Sequence, residues 1–243
     1  MKKETAILKD FVKNSENIVF FGGAGVSTES GIPDFRSSDG LYNQKYKYPP
    51  EVMLSRTFFI DNPKEFYDFH RDKIINTQAK PNRAHLALAE LESIGKLKAV
   101  ITQNIDGLHQ EAGSVNVLEL HGSVYRNYCM KCKKPYSIDI IIKTADNIPV
   151  CGCGGIIRPD VVLYKEPLDK NIVSQAVKYI SDADMLIIGG TSLSVYPAAR
   201  LIRYYDGDKL VLINKSVTQF DKHADLLLRG SIGDILGEII IAI

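Results

Sequence analysis

The sequence predicts an α/β fold, with a parallel sheet covered by helices on both faces and a smaller second domain attached to it. Short apolar segments alternate with segments of helical periodicity along most of the 243 residues, as in parallel sheets whose strands are joined by helices. Several apolar segments end in glycine or polar residues, which suits a site beyond the carboxyl ends of strands. All four cysteines lie between residues 129 and 153, which indicates a compact insert.

The individual elements follow from the length and period of each apolar segment. The predicted strands are 17–21, 97–101, 116–120, 185–188, 210–213 and 225–228. The predicted helices are 6–12, 63–75, 85–93, 171–181 and 197–204. Residues 31–84 and 125–157 do not follow the alternation, and we expect them to form the smaller layer at the sheet edge.

The composition excludes several classes of function. A net charge of +1, with no basic stripe, argues against nucleic acid and against a charged membrane surface as partners. No apolar run approaches the roughly 20 residues needed to cross a bilayer, and no secretory signal begins the chain. We therefore expect a cytoplasmic protein.

The cysteines form two closely spaced pairs, Cys129 with Cys132 and Cys151 with Cys153. Zinc takes four thiolates at about 2.3 Å, and the C-x-C spacing of the second pair is short but sufficient for neighbouring sulfurs. In a reducing compartment paired cysteines are more often metal ligands than disulfides. The pattern predicts a four-sulfur zinc site, with disulfides or free thiols as the alternative.

A glycine turn at Gly22, Gly23 and Gly25 follows the first predicted strand. Such turns let backbone N–H groups approach a phosphate, but Thr28 stands where the dinucleotide fingerprint has its third glycine. A nucleotide site and a tight turn without ligand both remain open. The segment 34–36, Asp-Phe-Arg, offers a guanidinium for a diphosphate or, alternatively, a surface ion pair.

Polar residues also follow the next strands. Gln103, Asn104 and Asp106 come directly after a strand, where they can form a site or cap the next helix. His121 ends another strand and has the side chain of a general base, although a lone histidine at a strand end is more often structural. A role as zinc ligand is the other alternative, but four cysteines already complete a tetrahedral shell. Thr191, Ser192 and Asn214 at the later strand ends have side chains that suit phosphate or ribose, and each is a weak signal alone.

Taken in chain order, these segments resemble the bacterial-type sirtuins, the NAD-dependent protein lysine deacylases. The resemblance spans about residues 5 to 240. It is carried by 23–27 (GAGVS), 31–36 (GIPDFR), 102–106 (TQNID), 121–122 (HG), the four cysteines and 158–162 (RPDVV).

The resemblance implies a Rossmann-like NAD-binding domain built from residues 1–30, 86–124 and 158–243. Residues 31–85 would form a helical module with the cofactor loop, and residues 125–157 a zinc module. NAD and the acyl-lysine would enter the cleft between the domains from opposite sides.

The resemblance also implies residue roles. His121 and Asn104 would be catalytic, Asp106 would bind the nicotinamide carboxamide, and Gln103 the adjoining ribose. The implied NAD-binding residues are Ala24, Thr28, Phe35, Arg36, Gln103, Ile105, Asp106, His121, Thr191, Ser192, Asn214 and Ile232. The zinc ion, held by Cys129, Cys132, Cys151 and Cys153, would be structural.

The implied reaction consumes NAD. The acetyl oxygen attacks the ribose carbon as nicotinamide leaves, and an alkylimidate forms. His121 then acts as a base on a ribose hydroxyl, which attacks the imidate carbon, and water completes the release of deacetylated lysine and O-acetyl-ADP-ribose. The nicotinamide released in the first step is also expected to inhibit. A mono-ADP-ribosyltransferase or NAD glycohydrolase is the alternative, but neither needs His121 as a base. The broken glycine fingerprint disfavours a dehydrogenase, and the intact set of catalytic residues disfavours a non-catalytic nucleotide sensor.

Two departures from the family pattern bear on specificity. Lys165 stands where the family usually has glycine, in a loop expected to pair with the substrate backbone together with residues 194–196. The alternative is that the Lys165 side chain simply points into water. Members that remove succinyl groups carry a tyrosine and an arginine, but here Tyr67 is followed by His70 at the arginine position. A neutral imidazole cannot clamp a carboxylate, so we expect deacetylation.

Overall fold

The strands lie close to their predicted positions. The computed structural model describes residues 2–35, 37, 40–43 and 46–240. The strands found there are β1 (Ile18–Gly22), β2 (Leu97–Thr102), β3 (Val117–Glu119), β4 (Gly122–Cys129), β5 (Pro135–Ser137), β6 (Ile157–Val161), β7 (Met185–Gly189), β8 (Leu210–Asn214) and β9 (Leu226–Arg229). Each of the six predicted strands is present, with ends that shift by a residue or two.

Six of these strands form one parallel sheet in the order β3-β2-β1-β7-β8-β9. The central strands β1 and β7 are buried at every position, as expected for strands covered on both faces. The strand β1 lies between β2 and β7. The sheet therefore extends from β1 to one side through β2 and β3, and to the other side through β7, β8 and β9. Ligand sites in such sheets lie at the carboxyl ends of the strands next to this change of direction.

The α-helices are α1 (Lys2–Lys13), α2 (Pro50–Met53), α3 (Arg56–Asp61), α4 (Pro63–Phe69), α5 (Arg83–Ser93), α6 (Leu108–Glu111), α7 (Asp139–Lys143), α8 (Lys170–Ser181) and α9 (Ile232–Ile240). One predicted helix is instead a 3-10 helix, Ala198–Tyr204, and the predicted helix 63–75 continues beyond α4 as a π-helix, His70–Ile74. None of the helices in the described part of the chain is long and apolar enough to cross a membrane.

The helices cover the large sheet on both sides. On one side, α1, α5 and α9 pack their apolar faces on Phe20 and Ile187 in a single buried cluster. On the other side, α8 and the 3-10 helix 198–204 pack on Phe21 and Ile188. Successive residues of a strand point to opposite faces, so neighbouring positions of β1 and β7 contribute to both clusters. The predicted fold class is confirmed.

The smaller layer combines a second sheet with the short helices. The strands β5, β4 and β6 form an antiparallel sheet with β4 in the middle. A third apolar cluster joins this sheet to α3 and α4 and includes Phe59, Phe66 and Tyr67 together with Cys129 and Ile157. The two segments that broke the alternation therefore share one core. The domain boundaries given above stay a prediction.

Candidate active site

The carboxyl ends of the central strands of the large sheet lie level with one another. Gly22, the last residue of β1, pairs with Thr102 of β2 on one side and with Gly189 of β7 on the other. The loops that follow are in direct contact, because Gly25 N donates to Gly190 O at 2.8 Å. A Cβ on Gly25 would lie 2.8 Å from the Gly190 backbone, which is why glycine is required there.

A hydrogen-bonded cluster of Ser27, Asn104 and Asp106 lies at this edge. Ser27 Oγ donates to Asp106 Oδ2 at 2.6 Å and accepts from Asn104 Nδ2 at 3.0 Å. Ser27 is 1% exposed, so its hydroxyl is fixed between the two side chains. The sequence analysis assigned Ser27 no role. Its position in a glycine turn that faces the polar residues at another strand end was the signal that could have indicated one.

Asp106 bonds both the start of α6 and the side chain of Ser27, and its role as a site residue stays a prediction. One carboxylate oxygen, Oδ1, accepts from Leu108 N at 3.0 Å at the start of α6, while Oδ2 faces Ser27. A carboxylate offers about four acceptor positions, so Asp106 retains capacity for a further donor. The bond from Leu108 N fixes the orientation of the carboxylate, and with it the direction of the remaining acceptor positions.

His121 directly precedes β4 and is held by the loop after β2. Its Nδ1 lies 2.9 Å from the carbonyl oxygen of Gln103. A carbonyl oxygen can only accept, so Nδ1 carries the hydrogen and Nε2 keeps a free lone pair in the neutral ring. Burial lowers the pKa of His121, and the hydrogen bond with Gln103 opposes that effect without cancelling it. The neutral form, with Nε2 as the basic atom, is therefore favoured.

The carboxyl ends of β7 and β8 are connected to this cluster through Gln103. Gln103 Nε2 donates to Thr191 Oγ1 at 3.1 Å, which links the loop after β2 to the loop after β7. Asn214 Oδ1 accepts from Thr191 N, and Asn214 Nδ2 donates to Thr191 O, both at 3.0 Å. Ser192 is exposed beside Ser194, and Ile232 begins α9. The residues predicted from separate strand ends thus form one connected edge.

The remaining predicted cofactor residues lie in or near the glycine turn. Thr28 Oγ1 donates to Gly25 O at 3.1 Å, while Ala24 opens the first turn after β1. The Ile105 carbonyl accepts from Val124 N at 3.0 Å. Phe35 lies farther along the loop with its ring edge-on to Tyr42. The predicted contact of Arg36 lies outside the described residues.

The four cysteines converge on one point at the end of the small sheet. The sulfurs of Cys129 and Cys153 are 3.4 Å apart, those of Cys132 and Cys151 are 3.6 Å apart, and all four lie within 4.8 Å of one another. A disulfide needs about 2.05 Å, so these are four free thiols. Sulfurs bound to one tetrahedral zinc lie about 3.8 Å apart, and this arrangement fits a single zinc ion.

The loop after β6 makes a tight turn with a left-handed residue. Glu166 N donates to Leu163 O at 2.9 Å, and Lys165, the third residue of this turn, has φ +72°. A positive φ at that position defines a type II turn, where glycine is preferred. Lys165 therefore stands at a strained position. Its side chain is exposed, in agreement with the alternative that it points into water.

The same loop is fixed on its inner side. Tyr164 pairs through its backbone with the segment before α3, donating to Leu54 O at 3.0 Å and accepting from Arg56 N at 3.2 Å. Arg158 forms two bonds of 2.8 and 2.9 Å with the Glu166 carboxylate, and both side chains are mostly buried. Paired charges with ideal bidentate geometry hold a loop more firmly than a neutral contact.

The helical module buries the pair of residues that bears on acyl specificity. Tyr67 is fully buried, and its hydroxyl donates to the Ile157 carbonyl. His70 is 1% exposed and stacks on Phe66, and burial lowers its pKa to about 4, so the ring is neutral. The neighbouring Arg71 donates to the Ile141 carbonyl at 2.8 Å and is therefore engaged with the zinc module.

Comparison with known proteins agrees with this geometry. The model of the Sir2 family matches residues 23–197. An NAD-dependent protein deacetylase of Clostridium tetani is 59% identical over 96% of both chains. A protein of the same description from Clostridium acetobutylicum is 60% identical, again over 96% of both chains.

Solved structures are similar along the whole length. A structure of Sir2 with a p53 peptide and NAD+ is 40% identical with a TM-score of 0.85, and the match covers 97% of each chain. A Sir2 variant with a deacetylated p53 peptide and 3'-O-acetyl ADP ribose is 40% identical with a TM-score of 0.89. That match covers 98% of this chain and 97% of the other.

Proposed function

The chain belongs to the Sir2 family, and from this premise we propose that it removes acetyl groups from protein lysines at the expense of NAD. The products are nicotinamide, O-acetyl-ADP-ribose and the deacetylated lysine, in line with the product complex of the related Sir2 structure. The observation that carries the proposal is the position of His121. Its Nε2 is left free by the bond from Nδ1 to Gln103, at the edge that also holds Ser27, Asn104 and Asp106.

The side chains at this edge fit NAD as a substrate. NAD supplies a ribose carbon that the acetyl oxygen attacks as nicotinamide leaves. A carboxamide needs both an acceptor and a donor, and Asp106 has acceptor capacity beyond its bonds to Ser27 and Leu108. We assign the carboxamide to Asp106 and the nicotinamide ribose to Gln103 and Asn104.

His121 acts in this proposal as the general base. The neutral ring accepts a proton from a ribose hydroxyl at Nε2, while the Gln103 carbonyl stabilises the resulting positive charge through Nδ1–H. Ser27 has no free rotation, because Asn104 and Asp106 fix its hydroxyl, so it serves to orient the two larger side chains. The role of Thr191, Ser192, Asn214 and the start of α9 is to hold the adenosine half.

The zinc ion has a structural role in this proposal. Four cysteine sulfurs complete a tetrahedral shell and leave no position for a substrate. We further propose that the protein is cytoplasmic, because paired cysteines that bind zinc rather than form disulfides are typical of a reducing compartment. Nicotinamide is expected to inhibit as a product that binds the Asp106 site.

Identification of every product tests the proposal. The protein is incubated with NAD and an acetyl-lysine peptide, and the mixture is analysed by mass spectrometry. We expect equal amounts of nicotinamide, deacetylated peptide and O-acetyl-ADP-ribose. The variant His121→Tyr should lose turnover and retain most NAD binding. Free or protein-bound ADP-ribose without deacetylation would favour the glycohydrolase or transferase alternative.

A panel of acyl peptides tests the preference for acetyl groups. His70, at the position of the arginine, is buried and neutral, and Arg71 Nε donates to the Ile141 carbonyl, so neither side chain provides the bidentate clamp for an acidic acyl group. We expect acetyl-lysine turnover to exceed succinyl-lysine turnover by at least about a hundredfold, since a bidentate charged contact is missing. Similar rates for the two peptides would contradict this assignment.

A further inference from the structure

Asn82, the residue before α5, caps the N-terminus of that helix. Its Oδ1 accepts from Ala84 N at 2.9 Å, and its own N–H donates to His85 Nδ1 at 3.2 Å. The two bonds form a capping box, which satisfies backbone groups that a helix start leaves free. His85 is fully buried, so both partners of Asn82 in the box are held in place by packing.

The other half of the Asn82 amide reaches a distant part of the chain. Nδ2 donates to Val26 O at 2.8 Å and to Ser30 Oγ at 3.0 Å. Val26 ends the first 3-10 turn after β1, and Ser30 ends the second, which follows one residue later. Both hydrogens of one amide group are thus used, one on each turn. The side chain joins the two turns to each other and to the start of α5.

These two turns carry the proposed contacts with NAD. The first contains Ala24, the second contains Thr28, and Ser27 lies between them. Each turn has only short internal bonds, such as Ser27 N to Ala24 O at 3.1 Å and Gly31 N to Thr28 O at 3.1 Å. Short 3-10 turns are weak by themselves. One bond joins the two turns directly, from Thr28 Oγ1 to Gly25 O at 3.1 Å, and Asn82 adds a contact from outside that touches both turns.

We propose that Asn82 is a positioning residue for NAD, which holds the two turns in the arrangement that binds the dinucleotide. This inference rests on the proposed function, because it concerns the affinity of that same site. Asn82 acts through the turns and contacts no reacting atom. If the bond pair is lost, only part of the population has the binding arrangement, and the apparent dissociation constant rises by the inverse of that fraction.

Two substitutions separate this role from helix capping. Asn82→Asp and Asn82→Ser keep a side-chain oxygen that caps a helix, and both lose the donor to Val26 and Ser30. The matched control is Asp169→Ala, which removes the cap of α8, where Asp169 Oδ1 accepts from Asn171 N at 2.8 Å and Ile172 N at 3.0 Å. Asp169 is exposed and lies outside the proposed site. A further variant, Ser30→Ala, removes one acceptor and leaves the cap intact.

The measurements are kcat, the KM for NAD, the KM for acetyl peptide, the Kd of ADP-ribose and the melting temperature. For both Asn82 variants we expect the KM for NAD and the Kd of ADP-ribose to rise about fivefold to tenfold, since each lost bond is worth a factor of a few. The values of kcat and of the peptide KM should stay within about twofold, because neither contact is with the peptide or the reacting groups. Ser30→Ala should give a smaller rise, and Asp169→Ala should lower the melting temperature only.

Unchanged NAD and ADP-ribose affinity in Asn82→Ser and Ser30→Ala would overturn the inference. An equal loss of affinity in Asp169→Ala would also overturn it, because the effect would then follow from lower stability alone. Failure of the unsubstituted protein to release O-acetyl-ADP-ribose would instead count against the proposed function. The ADP-ribose titration would still decide the role of Asn82 in that case.

Discussion

His121 shows how one backbone contact sets the chemistry of a side chain. The Gln103 carbonyl fixes the hydrogen on Nδ1, and burial lowers the pKa of the ring, so the neutral base persists at neutral pH. Neither effect is visible in the sequence around residue 121, since Gln103 lies in the loop after β2. The imidazole is suited to act as a base because its environment disfavours the charged form.

The pH dependence of the reaction follows from this lowered pKa. The base must be neutral, so activity is lost as the pH falls through the pKa of His121. We expect the acid limb of kcat/KM to lie below about pH 6.5, the ordinary value for histidine. A pH profile from 5 to 9 measures it, with His223→Gln, a change at an exposed histidine, as the control. A limb centred above 6.5 would contradict the assigned environment.

Lys165 is a second residue at which a backbone feature matters, because its backbone conformation determines its effect on stability. A side chain at φ +72° costs roughly 1–2 kcal/mol relative to glycine, partly offset because glycine gains freedom in the unfolded chain. We expect Lys165→Gly to raise the free energy of unfolding by up to about 1 kcal/mol, as measured by urea denaturation. Lys165→Ala is the matched control, since it removes the charge and keeps the Cβ. A gain of equal size in both variants would show that strain is not the cause.

Among the elements, the small sheet depends on its metal site. The cysteines join the end of β4 to the turn before β6, and two of them, Cys129 and Cys151, also belong to the apolar core shared with the helical module. Tyr136 O–H donates to Cys151 Sγ at 3.0 Å, so β5 is connected to the same group. Structural zinc sites contribute directly to folding free energy.

Removal of zinc should therefore loosen the small sheet and leave the large one intact. After treatment with a strong chelator, we expect faster amide hydrogen exchange in residues 122–161 and little change in β1, β7 and β8. The strands of the large sheet have their own buried clusters, which explains the difference. Recovery of protection on adding zinc is the control. Unchanged protection of β4 in the chelated protein would contradict a structural role.

The helical module shows where periodicity alone was insufficient. The segment 63–75 was predicted as one helix, but α4 ends at Phe69 and the chain continues as a π-helix from His70 to Ile74. The change coincides with the burial of His70 against Phe66 and with Arg71 reaching the Ile141 carbonyl. Contacts with the zinc module, rather than local preference, accompany the change in winding. Such π segments often lie near functional sites.

At the scale of the whole molecule, three buried histidines link stability to pH. Burial lowers the pKa of His70 and of His85 to about 4 and that of His109 to about 3. His85 and His109 contact each other edge-on, with ring centroids 4.7 Å apart. The sequence analysis assigned no role to His85 or His109. In the folded protein they are neutral, whereas in the unfolded chain they titrate near 6.5.

Acid should accordingly destabilise the fold before the carboxylates titrate. Below pH 6.5 the unfolded chain binds protons that the folded protein does not, so stability falls as the pH decreases toward the folded pKa values. Each histidine contributes up to about 1.4 kcal/mol per pH unit in this range. Urea denaturation at pH 7, 6 and 5 measures the slope, which His70→Phe should reduce and His223→Gln should not. Equal stability at pH 7 and pH 5 would refute the linkage.

The fold class and most of the strands were predictable because they depend on local pattern. Buried parallel strands are continuous apolar segments, and apolar segments as short as 185–188 and 210–213 are typical of strands rather than helices. The spacing of the cysteine pairs likewise predicted that the four sulfurs lie close together, since this spacing is typical of a metal site or of disulfides. Glycine turns and polar residues at strand ends predicted the edge of the sheet at which we propose the site.

The sequence by itself determined the sheet, the convergence of the four cysteines and the edge at which we propose the active site, because short-range periodicity and spacing specify them. Only the tertiary structure decided which polar groups meet, as with Ser27 and Asp106, or Asn82 and the two turns, since their partners are more than 50 residues away. Burial of histidine was decided in the same way, because a polar ring becomes part of the core only through neighbours that come from other elements.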